Sequence, residues 1–469
     1  MKRYFFAVVL GFSLMSAGCS QLAALKSAGG YDGPLVVPAE GSLPDVPEAV
    51  NYADFWIRQA EDPDAIILSP EEIERFNETN PMNGDYIIDV LGIPDEIDGA
   101  PFRKEMAFYA RRILDRDYYV TGDIPLERAD RLRIVTNMDT LGIPDIIRPR
   151  FGVMIRRVMS YYWPTPIPLT GTPGNSEFDS RVVSSLDMSE PVALLYTSRD
   201  GRWSYIQCYG FTCWIPSDAV AFGDRETVAR LTDRSSPLVA VGHRVSIYGS
   251  PDDDAAVGAF EMGSYLPLNT VGSNFCSVLI PGRGENGGLV VRQGFVRRTS
   301  DVSLGFLPYT QRNVYRQCFT PFGRRYGWGG MFEERDCSGF TQSVFRCFGF
   351  KLPRNSARLV IATPCSIEAD KYENATKTET LAACPGGITL VGMRGHIMIY
   401  IGTVEGVPYV IHDFWAWRSP TSDPEVNVTH RAARIAVTRL DLGADSKRGS
   451  LLDRTNRIAI MANYTLSTQ

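Results

Sequence analysis

One cysteine in this chain stands where a nucleophile could be made. Residues 326–339 read Tyr-Gly-Trp-Gly-Gly-Met-Phe-Glu-Glu-Arg-Asp-Cys-Ser-Gly, and Cys337 directly precedes a run with helical spacing. Phe340, Val344, Phe345 and Phe348 fall on one face of that helix, and Gly349 stands where it would stop. A cysteine at a helix N-terminus meets the positive end of the helix dipole, which favours thiolate over thiol. A thiolate also needs a base, and the chain has only 4 histidines. Two of them, His396 and His412, lie downstream in strand-like sequence.

Gly395-His396-Ile-Met-Ile-Tyr-Ile-Gly402 is rich in β-branched residues and closed by glycine, as a buried strand would be. Val407 to Trp417 reads as a second strand. The linker Gly402-Thr-Val-Glu-Gly406 reads as a five-residue hairpin loop. Symmetric pairing about residue 404 sets 398 opposite 410 and His396 opposite His412. Directly opposed side chains have Cβ atoms roughly 5 Å apart. The expected chemistry is a Cys–His–polar triad. Cys337 attacks, His396 takes and returns a proton, and His412 fixes the tautomer of His396. Two other uses of these residues compete. Cys337 alone could be an inert buried thiol. Asp336, Cys337, His396 and His412 could hold zinc, although no Cys-x-x-Cys or His-Glu-x-x-His spacing supports a metal.

At this point the chain resembles the NlpC-type papain-like cysteine peptidases that cut bacterial cell-wall peptides. The matching pieces are Tyr326-Gly-Trp328-Gly-Gly, Asp336-Cys337-Ser338-Gly-Phe, Leu352-Pro-Arg-Asn-Ser356, Gly395-His396-Ile-Met-Ile-Tyr-Ile-Gly402 and Ile411-His412, in the family's order. One departure is visible: Leu390-Val-Gly-Met-Arg-Gly395 replaces the family's usual Gly-Asp-Leu turn. The resemblance implies hydrolysis of the γ-D-glutamyl–diamino acid (diaminopimelate) bond of peptidoglycan stem peptides, without a cofactor. Within the family, paired SH3-like domains ahead of the peptidase go with stems that carry a free N-terminal L-alanine. The resemblance also makes the Tyr326 hydroxyl a second oxyanion donor beside the Cys337 N–H. Tyr326 and Trp328 would wall a small alanine pocket. Asp336 and Ser338 would bind the α-ammonium, with Glu177 or Asp179 from the first barrel completing that site. Ser356 matches a further contact. The plain alternative for Asp336 is a carboxylate stabilising the helix start. Two rival functions stay open: an inactive wall-binding lipoprotein, and an amidase or acyltransferase on the same scaffold.

These residues need elements to position them. The length of 469 residues suits several domains, and the mild net charge of −6 with no basic stripe argues against a nucleic-acid partner. Met1-Lys-Arg3 followed by an apolar stretch to Gly18 reads as a secretory signal, 1–19. Ser16-Ala-Gly-Cys19 resembles a lipoprotein cleavage site, which would lipidate Cys19 and place the protein in the periplasm on a membrane anchor. A tether, 20–45, leads to a helical N-terminal domain, 46–165. There Ser69-Pro-Glu-Glu72 reads as a capped helix start, with further helices at 103–119 and 147–162. Short strands with turns about every ten residues follow. They make a first SH3-like barrel, 166–235, with an Asp-Gly turn before Trp203, and a second, 236–303. Residues 304–469 form the peptidase domain. The fold class is multidomain α+β: helical N-terminal domain, two small SH3-like β-barrels, and a C-terminal papain-like α+β cysteine peptidase domain. Cys208 and Cys213 flank a hairpin loop and could bridge. The connectivity of Cys276, Cys318, Cys347, Cys365 and Cys384 stays open.

Overall fold

Three seven-stranded sheets organise the chain in a computed structural model that describes residues 35–36, 43, 45–120, 122–421, 423 and 426–464. The signal segment, Cys19 and most of the tether lie outside the described residues. The sheet nearest the C-terminus runs in the order 35–36, 427–439, 407–420, 396–404, 389–393, 455–460, 365–368. Its pairings are antiparallel except that of 35–36 with 429–430. The helices Gln311–Phe319 and Cys337–Arg346 start where the sequence places them. The second of these packs on the strands 396–404 and 407–420 through Phe340, Val344 and Phe345, all fully buried. Helix then antiparallel sheet is the expected peptidase architecture.

The helical N-terminal domain needs correction. Ser69 does cap the helix Pro70–Thr79, with Glu72 returning the bond in a full capping box. But the described part of 46–79 belongs to the peptidase core. Val50, Trp56, Ile57, Leu68 and Ile73 share one apolar cluster with Phe345 and Ile401, and Trp56 packs against Tyr409. Helices Ala100–Asp115 and Arg128–Met138 instead join the core of the first barrel through Met106, Ile113 and Trp163. The expected helix at 147–162 is two strands, Arg150–Met154 and Val158–Tyr161, both in the first barrel's sheet. Buried β-branched and aromatic residues suit strand as well as helix when the run is short. That barrel therefore begins near residue 150, not 166. The second sheet spans Pro237–Leu304. Cys208 and Cys213 do end a hairpin, but Cys208 faces Phe211, and all eight described cysteines are free thiols.

Buried charges weld the three sheets together. Arg157 and Asp187 of the first barrel pair at 2.6 Å, and Ser264 of the second barrel donates to the same Asp187. Arg346 of the nucleophile helix meets Glu190 at 3.4 Å, and Arg335, just before that helix, meets Glu261 of the second barrel at 3.4 Å. A polar cavity of about 60 Å³ lies among them. Such pairs add little net stability but penalise any other arrangement, because a displaced charge would be left buried and alone.

Burial pushes both Glu190 and Glu261 up to about 7, with neighbouring Asp187 adding to the rise. The folded protein then holds protons that the unfolded chain releases between about 4.5 and 7. The seam's contribution should be greatest below that window and fall as pH rises through 7. The melting temperature should accordingly drop from pH 5.5 to pH 8, and a Glu190→Gln/Glu261→Gln variant should show a smaller drop. An unchanged drop in the variant would place the titration elsewhere.

Candidate active site

Asp336 builds the start of the nucleophile helix. One carboxylate oxygen accepts from the Gly339 N–H at 2.9 Å and the Ser338 hydroxyl at 3.2 Å. The other accepts from the Gly329 N–H at 3.0 Å and Arg354 at 2.7 Å. All four acceptor directions are taken, so Asp336 acts as cap and ion-pair partner, and no lone pair is left to take up an ammonium. Ser338 is fully buried and shared between Asp336 and Arg354, so it also faces the scaffold. Ser356 is buried at the start of the short helix Ser356–Leu359, capped by Asn355.

The segment before the helix is shaped by the first barrel. Gly329 and Gly330 both have positive φ, and a Cβ on either would fall within 2.4 Å of Val182 or Ser185. Glycine is needed there because the barrel strand 182–186 presses on the turn. Phe332 and Glu333 also carry positive φ, a strained conformation held from outside. Arg325 covers the Phe332 ring at 3.7 Å, and Glu333 pairs with Arg244 of the second barrel.

Phe178 of the first barrel closes one wall. It packs on Trp328 (5.4 Å between centroids), Trp415 (4.9 Å) and Tyr326 (6.2 Å). Sequence reasoning did not select Phe178, although its neighbours Glu177 and Asp179 were considered. Asp179 is spent on a buried pair with Arg181. Glu177 is bonded by Arg325 (2.7 Å) and Arg431 (2.9 Å), both from the peptidase domain. Burial, then the nearby Cys337, raise the Tyr326 hydroxyl's pKa well above its ordinary value, so Tyr326 stays a donor.

The two histidines meet, by a route different from the one expected. The hairpin turn is the two-residue Glu405–Gly406, both with positive φ, the type that fits the twist of paired strands. A bulge between Tyr400 and Gly402 shifts the register again. Past the Ile399–Ile411 pair, His412 comes level with Met398, and His396 lies two residues further along. The net slip is even, so both rings stay on one face. His396 Nε2 and His412 Nδ1 are 2.7 Å apart, and His412 Nε2 is 3.0 Å from the Thr438 hydroxyl. His412 also stacks on Phe414 at 4.2 Å.

That chain has a direction. To accept a proton at Nδ1, neutral His396 must carry its hydrogen on Nε2 and donate it to His412 Nδ1. His412 then carries its hydrogen on Nε2 and donates it to Thr438. Thr438, unremarked in the sequence, can accept that hydrogen and so supports this tautomer of both rings. Its only sequence signal is a hydroxyl in an otherwise apolar strand segment, Ile435–Val437.

Cys337 is 4% exposed, and the Ile397 amide lies against its sulfur. Two influences oppose the expected thiolate. Burial, then the Asp336 carboxylate, push the thiol up to about 12, while burial draws His396 down to about 3. Both shifts favour the uncharged forms, against the pull of the helix dipole. Asp413, fully buried, has neither oxygen hydrogen-bonded among the described residues, and burial raises its pKa well above the carboxylate range. Asp336 and His412 have their donor atoms committed to Arg354, His396 and Thr438, which leaves no ligand set for zinc.

Two stretches of the chain match known domain families. Residues 323–412 match the NlpC/P60 family, and residues 170–216 match an SH3 domain of the SH3b1 type. In structure the chain is similar to an NlpC/P60 endopeptidase from Photobacterium damselae subsp. piscicida, with TM-score 0.74 and 20% identity over 91% of this chain and 98% of that one. It is also similar to an NlpC/P60 family protein from Bacillus cereus ATCC 10987, with TM-score 0.46 and 13% identity over 66% of this chain and 98% of that one. No curated protein sequence matches it. The chain carries a C-terminal NlpC/P60 cysteine peptidase domain preceded by an SH3b domain.

Cys337→Ala and Cys337→Ser should each abolish turnover with the fold retained, because alanine has no nucleophile and a serine hydroxyl is a far weaker acid than a thiol, so that His396 activates it poorly. Turnover by the alanine variant above about one thousandth of wild type would rule out a covalent route. His412→Asn should keep part of the activity and His412→Ala less. Thr438→Val leaves the His412 Nε2–H without an acceptor and favours the opposite tautomer. It should lower kcat by about tenfold to a hundredfold, and Thr438→Ser should restore it. Equal rates in Thr438→Val and wild type would remove Thr438 from the relay.

Proposed function

We propose that this protein is a cysteine endopeptidase of the cell wall that hydrolyses the γ-D-glutamyl–diaminopimelate bond of peptidoglycan stem peptides. The observation that carries the reading is the hydrogen-bonded His396–His412–Thr438 chain on a strand packed against the Cys337 helix start. The thiol gives its proton to His396 Nδ1 as sulfur attacks the amide carbon. The oxyanion takes hydrogen bonds from the Cys337 N–H, which as a first-turn amide has no intrahelical acceptor, and from the Tyr326 hydroxyl. Collapse breaks the C–N bond, and the leaving amine takes the proton from His396. Water then attacks the thioester, with His396 as base, and releases the acid and the thiol.

The substrate reading rests on the family resemblance and on the wall that Phe178 adds beside Tyr326, Trp328 and Trp415. Phe178 and the Glu177 clasp put the first barrel at the lip, which suits a short stem ending in free L-alanine. Of the acids considered for the ammonium, the Glu177 side chain keeps 19% exposure, against 8% for Asp179 and 6% for Asp336. All three are already paired, Glu177 with Arg325 and Arg431, so the free-amine reading rests on the family resemblance. The signal-like start and Cys19 support export to the periplasm and a lipid anchor.

The deciding assay compares free L-alanyl-γ-D-glutamyl-diaminopimelate, its N-acetyl form and purified sacculi. Acetylation removes the charge and adds bulk, and should lower kcat/KM by about tenfold to a hundredfold. Sacculi, whose alanine is amide-linked, should be poor substrates. Equal rates on all three would make the enzyme an endopeptidase of the intact wall. A new amide product in place of free acid would favour the acyltransferase reading.

A further inference from the structure

The two donors of the proposed oxyanion site, the Tyr326 hydroxyl and the Cys337 N–H, belong to segments that meet at one residue. Arg335 is 5% exposed and stands two positions before Cys337. Its carbonyl accepts from the Gly327 N–H at 2.6 Å, and its backbone forms a parallel bridge with Tyr326. The spacing of the two donors therefore depends on where the backbone at 335 is held.

The side chain of Arg335 is held by the second barrel. Nη1 lies 2.9 Å from His243 Nδ1, in the turn before the strand Arg244–Tyr248. Nη2 donates to the His243 carbonyl at 3.1 Å and to Glu261 at 3.4 Å. Nε donates to the Ser343 hydroxyl of the nucleophile helix at 3.0 Å. A guanidinium has no acceptor atom, so His243 Nδ1 must accept, and the ring is the neutral tautomer with its hydrogen on Nε2. That hydrogen faces the Glu334 carboxylate at 3.5 Å. Burial, then Arg335, draw His243 down to about 3, so it remains an acceptor through the neutral range. Close packing backs this grip. Gly263 of the same barrel has positive φ, and a Cβ there would fall 2.6 Å from the Ser343 carbonyl. The barrel thus rests on the helix that begins with Cys337.

We infer that His243 is a positioning residue: through Arg335 it fixes Tyr326 and the Cys337 amide for the tetrahedral intermediate, so that the second barrel acts on the chemical step. This rests on the endopeptidase reading. A displaced donor weakens the hold on the oxyanion and leaves substrate binding alone, so its loss falls on kcat and spares KM.

The test uses the full chain and L-alanyl-γ-D-glutamyl-diaminopimelate. His243→Leu removes the acceptor and should lower kcat about tenfold to a hundredfold, with KM within about twofold of wild type. His243→Asn puts an oxygen where Nδ1 stood and should recover most of that loss. Amide hydrogen exchange over residues 326–337 should quicken in His243→Leu and return towards wild type in His243→Asn. Wild-type kcat in His243→Leu, a loss borne by KM, or equal losses in both variants would overturn the role. If wild type does not cut the tripeptide, the peptidase reading fails by itself, and the exchange measurement decides. Faster exchange over 326–337 in His243→Leu then supports the hold of His243 on the segment, and unchanged exchange overturns it. Should His243→Leu not fold, Ser343→Ala, which removes the Nε acceptor, is judged by the same measurements.

Discussion

The carboxylate of Asp336 is the joint on which the site turns. Four donors converge on it: two backbone amides, one hydroxyl and one guanidinium. Each comes from a different necessity. The Gly339 amide is an orphan of the helix start, and the Gly329 amide belongs to the turn under the first barrel. Arg354 belongs to the loop after the nucleophile helix and reaches on to Ser184 of the barrel at 2.9 Å. One side chain thus sets where the helix begins, where Cys337 points, and how the barrel sits. Removing it would leave a buried arginine without its counter-charge, which costs far more than the pair itself contributes.

The same carboxylate works against a resting thiolate. A negative group next to a buried sulfur opposes thiolate formation. A neutral pair of thiol and imidazole avoids separating charge in a closed cleft. Charge then develops only when substrate is present and the oxyanion has donors waiting.

The chemistry-bearing residues were legible because they sit at element boundaries with local signals. Cys337 precedes an amphipathic run, and His396 opens a strand. The helix at Gln311–Phe319 and the Ser69 capping box follow from local pattern in the same way. What failed were statements about distance. The hairpin register depends on a bulge and on which of several turn residues takes positive φ, and neither has a marker in composition. His396 and His412 still met, because an even slip preserves the face. The segment 147–162 misled because four- and five-residue buried strands carry too few residues to show a period. Partners supplied from elsewhere in the chain, such as Phe178 of the first barrel for the aromatic wall or Arg354 of the loop after the helix for Asp336, have no sequence signal beyond the expectation that a buried acid finds a cation.

The clasp of Glu177 by Arg325 and Arg431 bears on how this protein can be taken apart. The first barrel is joined to the peptidase domain by charge pairs, by an aromatic wall and by glycines cut to its outline. A chain trimmed to residues 304–469 would lose two N-terminal helices, Ala53–Ile57 with Trp56 and Pro70–Thr79 with Ile73, and expose the ring faces that Phe178 covers. The modules named along the sequence are therefore not interchangeable parts. A barrel transplanted from another protein would have to bring its own phenylalanine, acid and close-fitting strand before the cleft had a second wall.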